Sequence, residues 1–569
     1  MNDFKIKIWQ GEKLGNTISL DTETNLAPFH SRDHKMITCQ VYDGNGVVYF
    51  IEKSKVMKFM KQHKKCNIVM QHAPFDVGVL SKITGTKIWY DMYDNDLIWD
   101  TKIMYILYTL AATGQASRQS SLKLICEKLL GIDIDKNADI RTTFEQFENT
   151  PILEIPEEHL RYAALDAIYT YDVYFKLKDL IRPHDKMNTT LSHHIQVKGA
   201  LALDAIYKNG LGFDLDRGEK TLSDLNGKID TLKQRLAMWG YVQGRAGISD
   251  QYERIMVQLG LDKVLPRSDK SNKISQKSDD LKMYSDMPFV GDYLEFDKLH
   301  KLSTFIRDIK TDTVHGRFNP ILNTGRTSMS RPNLQQIPRS GGIRECFVPK
   351  KANKKFFIID YSGMENAMLS QVLINKYGYS EMASKINAGM DLHRYYASIL
   401  FEKDIKNVTK EERQQAKAAV FGFPGGLGLA TFMQFASGYG LSITEDEARV
   451  MKDKYFQAFP EMERYLKECD EGDVFTLTGR KRADATYCAV ANTPFQGLGA
   501  DMAKIAMYEL TKAGFEVVAF IHDEFIIEHK DSIEDFNKAC DIMVQAGKKI
   551  APDMLIEVEG HILDKWEKL

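Results

Sequence analysis

Two aspartates at the ends of apolar segments are the first candidates for chemistry. Residues 517–528 read VVAFIHDEFIIE, in which two apolar runs flank the polar triplet 522–524 with Asp523 at its centre. A second apolar run, KFFIIDYSGME in residues 355–365, leads to Asp360. A buried ionised carboxylate is costly unless a partner such as a divalent cation neutralises it. The triplet alone could be an acidic β-turn, but two aspartates meeting on one sheet could hold two metal ions for phosphoryl transfer.

A second acidic set lies nearer the start of the chain. Asp21 and Glu23 are two residues apart in the alternating segment TISLDTET, so a strand would turn both side chains to one face. Asp76 follows the apolar segment NIVM, and Tyr162 and Asp166 are four residues apart in a helically spaced segment. Together they could form a metal-dependent hydrolytic site in which the phenol orients a water. Tyr162 by itself could equally be a helix-packing residue.

The segment 409–422, TKEERQQAKAAVFG, carries a cationic and aromatic face. Arg413, Lys417 and Phe421 fall at i, i+4 and i+8, which places them on one side of a helix. Two cations followed by an aromatic ring suit a triphosphate and its base. The alternative is a solvated basic stripe that ends in a core phenylalanine.

Two more side chains could face a nucleotide. Glu365 comes just after the strand that leads to Asp360, where it would crowd a bound sugar. His393, in MDLHRYYA, could reach a phosphate, although a lone histidine is also common in structural roles.

Polar side chains that suit DNA occur in two later segments. Residues 323–338 read NTGRTSMSRPNLQQIP, and residues 492–496 begin a predicted helix. Such side chains donate to phosphates and to minor-groove acceptors, although the first segment could also be an ordinary polar loop. The candidates are Arg326, Asn333, Gln335, Gln336, Arg344, Asn492 and Gln496.

These candidates require strands and helices in definite places. The β-branched and aromatic runs of 517–528 predict paired strands with a tight turn. Thr409, with Glu412 three residues later, predicts a capped helix start, and Asp100 predicts the cap of another helix. From 195 to about 310 the spacing is helical, apart from the polar segment 265–282, which favours a solvated loop over a nucleic-acid clamp.

Bulk properties set wide limits. A chain of 569 residues suggests three or four domains. The net charge of -2 neither supports nor excludes nucleic acid. The seven cysteines include no CxxC pair, so the sequence predicts neither a zinc site nor a disulfide framework, and a reducing cytoplasm fits. No apolar run is long enough to cross a membrane, and no signal peptide is apparent.

The acidic segments of the first region, DTE, then FD, then YxxxD, resemble the motifs of DnaQ-like (DEDDy) 3'-5' proofreading exonucleases. The resemblance implies an RNase H-like domain in which the four carboxylates above bind metal ions and Tyr162 takes part in catalysis. His72 departs from the family, which usually has asparagine four residues before Asp76. The contact of that position with phosphate or strand is therefore expected to differ, whereas hydrolysis is expected to survive.

Later segments resemble, in order, the motifs of family A DNA polymerases of the bacterial polymerase I type: TGRxSxxxPNLQxIP, DYSxxE, RxxxKxxxFG, NxPxQGxxAD and HDE. The resemblance covers essentially the whole chain. It implies that Asp360 and Asp523, with the Tyr361 carbonyl, hold two Mg2+ ions, with Mn2+ as an alternative. It implies dNTP contacts for Glu365, as a gate against ribonucleotides, and for His393, Arg413, Lys417 and Phe421. Within the HDE segment, His522 is expected to lie against the primer end, as a further DNA contact.

Three departures concern the nascent base pair. DYSGMENA replaces the usual DYSQIELR, Gly425 and Gly426 stand where the family has Tyr-Gly, and Cys488 stands where arginine is common. The missing tyrosine normally stacks at the template position. We expect these changes to affect template-base placement and fidelity and to leave the metal chemistry unaltered.

We predict an α/β and α+β multidomain protein, with an RNase H-like exonuclease domain followed by a right-hand polymerase. The predicted boundaries are 1–185 for the exonuclease, 186–315 for the thumb, 316–370 and 476–569 for the palm, and 371–475 for the fingers. Its predicted function is template-directed DNA synthesis on a primer 3'-hydroxyl with 3'-5' proofreading. The lack of a preceding 5'-nuclease segment suggests a phage polymerase, acting in the cytoplasm of an infected bacterium.

Predicted partners are primer–template DNA and dNTPs, with helicase, primase and single-strand binding protein as further candidates, for a monomer without a membrane. Two rival functions differ in kind. One is a nuclease whose C-terminal half only binds DNA, and the other is a non-enzymatic replication scaffold. The intact aspartates and the Arg413–Phe421 face disfavour the first, and the four exonuclease carboxylates disfavour the second.

Overall fold

The computed structural model describes residues 4–134, 138–244, 247–268, 271–338 and 341–567. Its first region is a mixed sheet flanked by helices. The elements are β1 (Lys5–Ile8), β2 (Thr17–Thr24), β3 (Met36–Tyr42), β4 (Val47–Phe50), α1 (Val56–His63), β5 (Asn67–Met70), α2 (Ala73–Thr84), α3 (Lys87–Asp94), β6 (Ile98–Asp100), α4 (Thr101–Thr113), α5 (Leu122–Leu130), α6 (Ala138–Thr143) and α7 (Glu157–Ile181).

The strand order of this sheet is β1-β4-β3-β2-β5-β6. β3 runs antiparallel to β2, whereas β5 and β6 continue parallel on the other side. This is the arrangement expected of an RNase H-like domain. The helix α7 packs against β2, where the Ser19 hydroxyl donates to the Ala167 carbonyl at 2.7 Å. That contact brings the C-terminal acidic motif of the domain next to the first one.

The second region is largely helical, as predicted. It comprises α8 (His193–Asn209), β7 (Leu211–Gly212), α9 (Leu215–Met238), α10 (Ile248–Gln258), α11 (Ser278–Leu281), α12 (Pro288–Asp308) and β8 (Thr313–Val314). The short strands β7 and β8 pair antiparallel and so tie the two ends of the α9–α12 helices together. The described part of 265–282 is mostly irregular, in keeping with the predicted loop.

The third region begins with β9 (Arg317–Asn319), β10 (Ser328–Ser330) and the long strand β11 (Lys354–Tyr361). A group of helices follows. They are α13 (Met364–Tyr377), α14 (Glu381–Asn387), α15 (Leu392–Leu400), α16 (Lys410–Gly422), α17 (Leu429–Ser437), α18 (Glu445–Ala458) and α19 (Pro460–Lys467).

The chain then returns to a second sheet. The elements are β12 (Gly472–Phe475), β13 (Lys481–Ala485), α20 (Tyr487–Lys512), β14 (Glu516–Ile521), β15 (Glu524–Lys530), α21 (Ile533–Ile550) and β16 (Val558–Leu563). β11 joins the late strands in an antiparallel sheet of order β14-β15-β11-β16. One face packs on α20 and α21, and the other meets the helical second region and Trp566.

Of three predicted helix starts, two are confirmed and one is wrong. Thr409 and Glu412 form a reciprocal capping box at the start of α16, and Asp100 caps α4 by accepting from two backbone N–H groups. Both predictions are confirmed. The helix expected to begin at Asn492 starts instead at Tyr487 and runs through Pro494. Among the described residues, no helix is both long and apolar enough to cross a membrane.

Candidate active sites

The hairpin of β14 and β15 positions Asp523. Its strands pair with Ile521 opposite Glu524, which leaves His522 and Asp523 as a two-residue turn. His522 takes the left-handed backbone conformation, with φ of 62°, as tight hairpin turns require. The predicted strands and the place of Asp523 at the tip are confirmed.

Asp360 reaches the same edge from the neighbouring strand. It lies opposite Glu524 in the β11–β15 pairing, so two aspartates far apart in sequence meet on one sheet, as predicted. The next residue, Tyr361, has a buried ring whose hydroxyl donates to the Met543 carbonyl at 2.8 Å. This bond fixes the end of β11 against α21.

A cavity of about 360 Å³ opens beside the turn, a size ordinary for a small-ligand site. Its walls bring together six of the residues predicted to contact metal, nucleotide or DNA, and they also include Lys504, which the sequence did not single out. The six are Arg326, Gln335, Glu365, Phe421, His522 and Asp523.

Within the cavity, Arg326 and Glu365 form a close ion pair. Their side chains are 45% and 31% exposed, and a pair this accessible contributes only about 0–1 kcal/mol. A ligand that enters the cavity can therefore displace this pair at little cost.

The cationic face of α16 extends the cavity wall. The ring of His393 is centred 5.3 Å from that of Phe421, and Lys417 Nζ lies 5.8 Å from the same ring centre. Arg413 Nε donates to Asp391 Oδ2 at 2.7 Å. Burial lowers the pKa of His393 to about 4, with Asp391 opposing and Arg413 and Lys417 adding to the effect. The imidazole is therefore neutral at pH 7 and could donate to a phosphate without carrying charge.

In the first domain, Asp21, Glu23 and Asp166 form a carboxylate cluster. One oxygen from each lies within 4.8 Å of the others, and Gln40 Nε2 donates to Asp21 Oδ2 at 2.6 Å. Three like charges so close favour a bound cation, and an oxygen-only ligand set suits Mg2+ or Mn2+. Tyr162 lies one turn before Asp166 on α7, with its ring 6.1 Å from that of Phe144.

Asp76 lies beside this cluster but outside it. Its Oδ1 accepts from the backbone N–H of Thr22 at 3.0 Å and from the Thr22 hydroxyl at 2.7 Å. Burial raises the pKa of Asp76 to about 7, although both bonds from Thr22 act in the opposite direction. The structure thus clusters three of the four predicted carboxylates and holds the fourth against the backbone of β2.

Arg344 does not lie where a DNA contact was expected. Its side chain is 8% exposed, with Nη1 3.7 Å from Glu524 Oε1, and its guanidinium lies 4.4 Å from the centre of the Trp566 ring. The indole N–H of Trp566 donates to the same Glu524 oxygen at 2.8 Å. This burial under the hairpin does not support the predicted contact with DNA and indicates an anchor for β15.

Comparison with family models identifies both halves of the chain. Residues 219–568, more than half of the chain, match the model for DNA polymerase family A. The chain belongs to DNA polymerase family A. Residues 6–182 match the 3'-5' exonuclease model, so this family A polymerase carries an exonuclease domain at its N-terminal side.

Relatives agree with that assignment. The chain is 28% identical over 481 residues to DNA polymerase I of Aquifex aeolicus, covering 79% of this chain and 81% of the relative. It is 28% identical over 462 residues to DNA polymerase I of Bacillus subtilis, but spans only 49% of that protein. The fold is shared with the POL domain of Pol1 from M. smegmatis, solved in complex with DNA primer-template and dNTP. That match has a TM-score of 0.75 at 19% identity and covers 98% of this chain and 99% of the other.

The Gly425–Gly426 departure from the polymerase motif has a packing reason. A Cβ on Gly425 would lie 2.8 Å from Asn492 Nδ2, and one on Gly426 would lie 2.6 Å from Tyr487 Cε1. Asn492 Nδ2 donates to the Gly425 carbonyl at 3.3 Å and to the Cys488 carbonyl at 2.7 Å, and Gln496 Nε2 donates to Asn492 Oδ1 at 3.4 Å. The glycines let α20 approach the end of α16, and they orient the two predicted minor-groove readers.

His72, the departure in the exonuclease motif, has an unusual backbone. It adopts the left-handed conformation with φ of 70°, and its N–H donates to Asp100 Oδ1 at 3.2 Å. Burial lowers its pKa well below the ordinary value, and nearby Lys102 and Lys208 add to the effect. The ring is thus a neutral group, with Nδ1 3.5 Å from Lys102 Nζ, where the family has an amide.

The remaining predicted DNA contacts lie in the Leu334–Gln336 turn. Asn333 accepts from the Gln335 N–H at 3.1 Å and so caps this 3-10 turn, while Gln336 is exposed. What sequence reasoning missed is a buried charged group behind the cavity, which includes Arg480, Asp501 and Lys504. The only available signal was a charged pair, three residues apart, in the otherwise apolar run GLGADMAKIAM.

Proposed function

We propose that this family A polymerase extends a primer 3'-hydroxyl with dNTPs under the direction of a template, and that its N-terminal domain proofreads by 3'-5' hydrolysis. The observation that carries the proposal is the single cavity that gathers Asp523, Glu365, Phe421 and Arg326, with Asp360 on the adjoining strand. A nuclease that merely binds DNA through its C-terminal half would not need this combination.

The donor set fits divalent metal ions at both sites. Asp360 and Asp523, with the Tyr361 carbonyl, would hold two ions in the polymerase site, and Mg2+ is the natural occupant of an all-oxygen set, with Mn2+ as an alternative. When bound, such ions activate the attacking hydroxyl and neutralise charge on the phosphates.

The residues of the chain do the positioning. Arg413 and Lys417 bind the triphosphate, neutral His393 donates to it, and Phe421 lies by the sugar and base. Glu365 borders the sugar and excludes a 2'-hydroxyl. Arg326, Gln335, Asn492 and Gln496 contact the primer–template near the new base pair, where a mispair would misplace them.

For proofreading, Asp21, Glu23 and Asp166, with Asp76, would hold the metal ions of the exonuclease site. Tyr162, one helical turn from Asp166, orients the attacking water. Because the two sites use separate residues, each activity can be removed without the other.

We also propose the domain division predicted above, with residues 186–315, which include α8–α12, as the thumb and residues 371–475, which include α14–α19, as the fingers. Primer–template DNA and dNTPs are the proposed partners, with helicase, primase and single-strand binding protein as further candidates. A monomer acting in phage genome replication in the bacterial cytoplasm remains the proposed setting.

Asp523→Asn tests the polymerase site. The substitution keeps the size of the side chain but removes a charged metal ligand, so primer extension with Mg2+ and dNTPs should fall to background. Degradation of a single-stranded oligonucleotide should continue at the wild-type rate and serves as the control for folding. Retained extension would disprove the assigned site.

Asp21→Ala is the reciprocal test. Loss of one carboxylate from the cluster should remove 3'-5' degradation while template-dependent extension continues. Persistent degradation would mean that the first domain has been misread. Wild-type protein assayed with and without template separates the polymerase from a nuclease and from a scaffold.

A further inference from the structure

A buried polar network lies behind the polymerase cavity. Its four side chains come from three parts of the chain: α8, the turn before β13, and α20. They are Gln196, Arg480, Asp501 and Lys504, with exposures of 0%, 1%, 0% and 1%. Buried charges persist only when paired or well hydrogen-bonded, so the partners of each group are informative.

Asp501 is neutralised by residues other than Lys504. Arg480 Nη1 and Gln196 Nε2 donate to its Oδ1 at 2.5 and 2.8 Å, and the Thr478 hydroxyl donates to its Oδ2 at 2.5 Å. Among the described residues, the hydrogen-bond partners of Lys504 Nζ are neutral: Gln196 Oε1, in a close contact, and the Gly325 carbonyl at 2.8 Å. The lysine is therefore held by two uncharged acceptors.

Three glycines make room for this arrangement. A Cβ on Gly199 would lie 2.7 Å from Lys504 Cγ, and a Cβ on Gly325 or Gly497 would collide with the Arg480 guanidinium. The network is thus built into the packing of α8, α20 and the 322–326 turn. Burial lowers the pKa of Lys504 to about 7, with Arg480 adding to the effect and Asp501 opposing it, which shows how costly this placement of an ammonium is.

The Gly325 bond connects the network to the cavity. Gly325 belongs to a tight turn closed by two bonds, from its own N–H to the Leu322 carbonyl at 2.7 Å and from the Leu322 N–H to the Arg326 carbonyl at 2.8 Å. Arg326 follows directly and points into the cavity, where it pairs with Glu365. Lys504 lines the same cavity. Because its Nζ donates to the Gly325 carbonyl, it fixes the backbone from which Arg326 extends.

We propose that Lys504 is a positioning residue for primer-terminus binding, and that it acts by holding the 322–326 turn so that Arg326 reaches the end of the primer. This inference rests on the proposed polymerase function. Lys504 itself need not touch the reacting atoms, since its bond to the Gly325 carbonyl places the guanidinium that does.

Lys504→Met is the main test, because methionine has similar length without a donor. Hydrogen bonds from charged groups contribute enough for about a tenfold effect, so we expect the KM for primer–template to rise about tenfold, with a smaller change in the KM for dNTP. Degradation of a single-stranded oligonucleotide, performed by the separate exonuclease site, should be unchanged. The matched control is Lys549→Met, an exposed lysine of α21 paired with Glu509 at 2.7 Å, which should match wild type.

Arg326→Ala distinguishes positioning from general packing. If Lys504 acts through Arg326, the KM for primer–template of the double variant Lys504→Met/Arg326→Ala should resemble that of the more affected single variant, because the effects of coupled residues are not additive. Effects that multiply, or an unchanged KM for primer–template in Lys504→Met, would overturn the proposal. Should Lys504→Met fail to fold, seen as loss of exonuclease activity, Gln196→Met removes the other acceptor of Lys504 and must raise the same KM. If wild-type protein extends no primer, the proposed function fails and this inference fails with it.

Discussion

Arg413 illustrates how a single ion pair orients a residue of the face proposed to bind nucleotide. Its partner Asp391 also caps α15 by accepting from the backbone N–H groups of His393 and Arg394. Burial raises the pKa of Asp391, but the hydrogen bond from Arg413 and the Arg394 N–H outweigh this and leave it below its ordinary value. The lowered pKa favours the ionised carboxylate, which holds the Arg413 guanidinium at 2.7 Å.

At this scale we predict that Arg413→Ala raises the KM for dNTP by about tenfold to a hundredfold, since a charge-assisted contact contributes about 1.5–3 kcal/mol. Steady-state extension at varied dNTP concentration measures the effect. Arg449→Ala, which removes an exposed arginine paired with Glu445 at 3.1 Å on α18, is the matched control. An unchanged KM for dNTP would contradict the role given to the α16 face.

The packing of α20 near the end of α16 sets the orientation of Asn492. The chain leaves α16 through Phe423–Gly425, a 3-10 turn, and α20 lies close enough for Asn492 to bond the Gly425 carbonyl. The orientation of Asn492 thus depends on the absence of a side chain at Gly425. The family tyrosine, at the position of Gly425, would need the space that Asn492 occupies here.

We therefore predict that Gly425→Ala shifts Asn492 and weakens discrimination against mispairs. Loss of one hydrogen bond, about 1 kcal/mol, corresponds to a severalfold drop in the ratio of correct to incorrect incorporation. Single-nucleotide incorporation kinetics measure that ratio. Gly428→Ala is the control, because a Cβ there meets nothing within 4 Å, and equal effects of the two substitutions would refute the prediction.

At the scale of the whole molecule, the exonuclease domain packs directly against the polymerase region. One apolar core cluster contains residues from β2, α8, α20 and the second sheet. At its edge Asp94 of α3 accepts from Tyr508 at 2.9 Å and from Lys512 at 2.6 Å, both on α20. Burial raises the pKa of Asp94, but the bonds from Lys512 and Tyr508 outweigh it, and the pKa ends below the ordinary value.

A carboxylate whose pKa is lowered by folding stabilises the protein above its unfolded pKa, and this contribution is lost as the pH falls through the folded pKa. We predict that Asp94→Asn lowers the Tm by about one degree at pH 7, since the pair is partly exposed. The difference from wild type should vanish in acid. Calorimetry across pH measures this difference in Tm. The control is Asp179→Asn, which breaks an exposed pair with Arg182 at 2.6 Å within the first domain. Because that pair does not join the two domains, its loss should not lower the Tm comparably. A difference that grew in acid would contradict the assignment.

The sequence was most predictive where the signal was local. Asp523 lies on a turn flanked by two runs of apolar, largely β-branched and aromatic residues, and Thr409 and Glu412 cap the helix start within one helical turn. Both structures follow from short-range geometry. The pairing of Asp360 with that hairpin was also predictable, because the strand around it is apolar enough to require burial on a sheet.

What could not be predicted depends on residues distant in sequence. Arg344 is buried because Trp566, near the end of the chain, stacks on it and shares Glu524. The helix predicted to begin at Asn492 starts at Tyr487 instead, and its many buried residues carry α20 through Pro494. For Lys504 the only signal was a charged residue in an apolar run, because its acceptors on α8 and in the 322–326 turn are brought near only by the fold.

The ion pair of Arg326 and Glu365 has a consequence for selection of the sugar. In the free enzyme, the residue proposed to recognise the primer end neutralises the residue proposed to exclude ribose. If these roles hold, we expect primer binding to draw Arg326 away and to leave Glu365 facing the sugar of the incoming nucleotide. Given the roles proposed for these two residues, we expect selection between deoxyribose and ribose to be sharper in the DNA-bound enzyme than in the free enzyme.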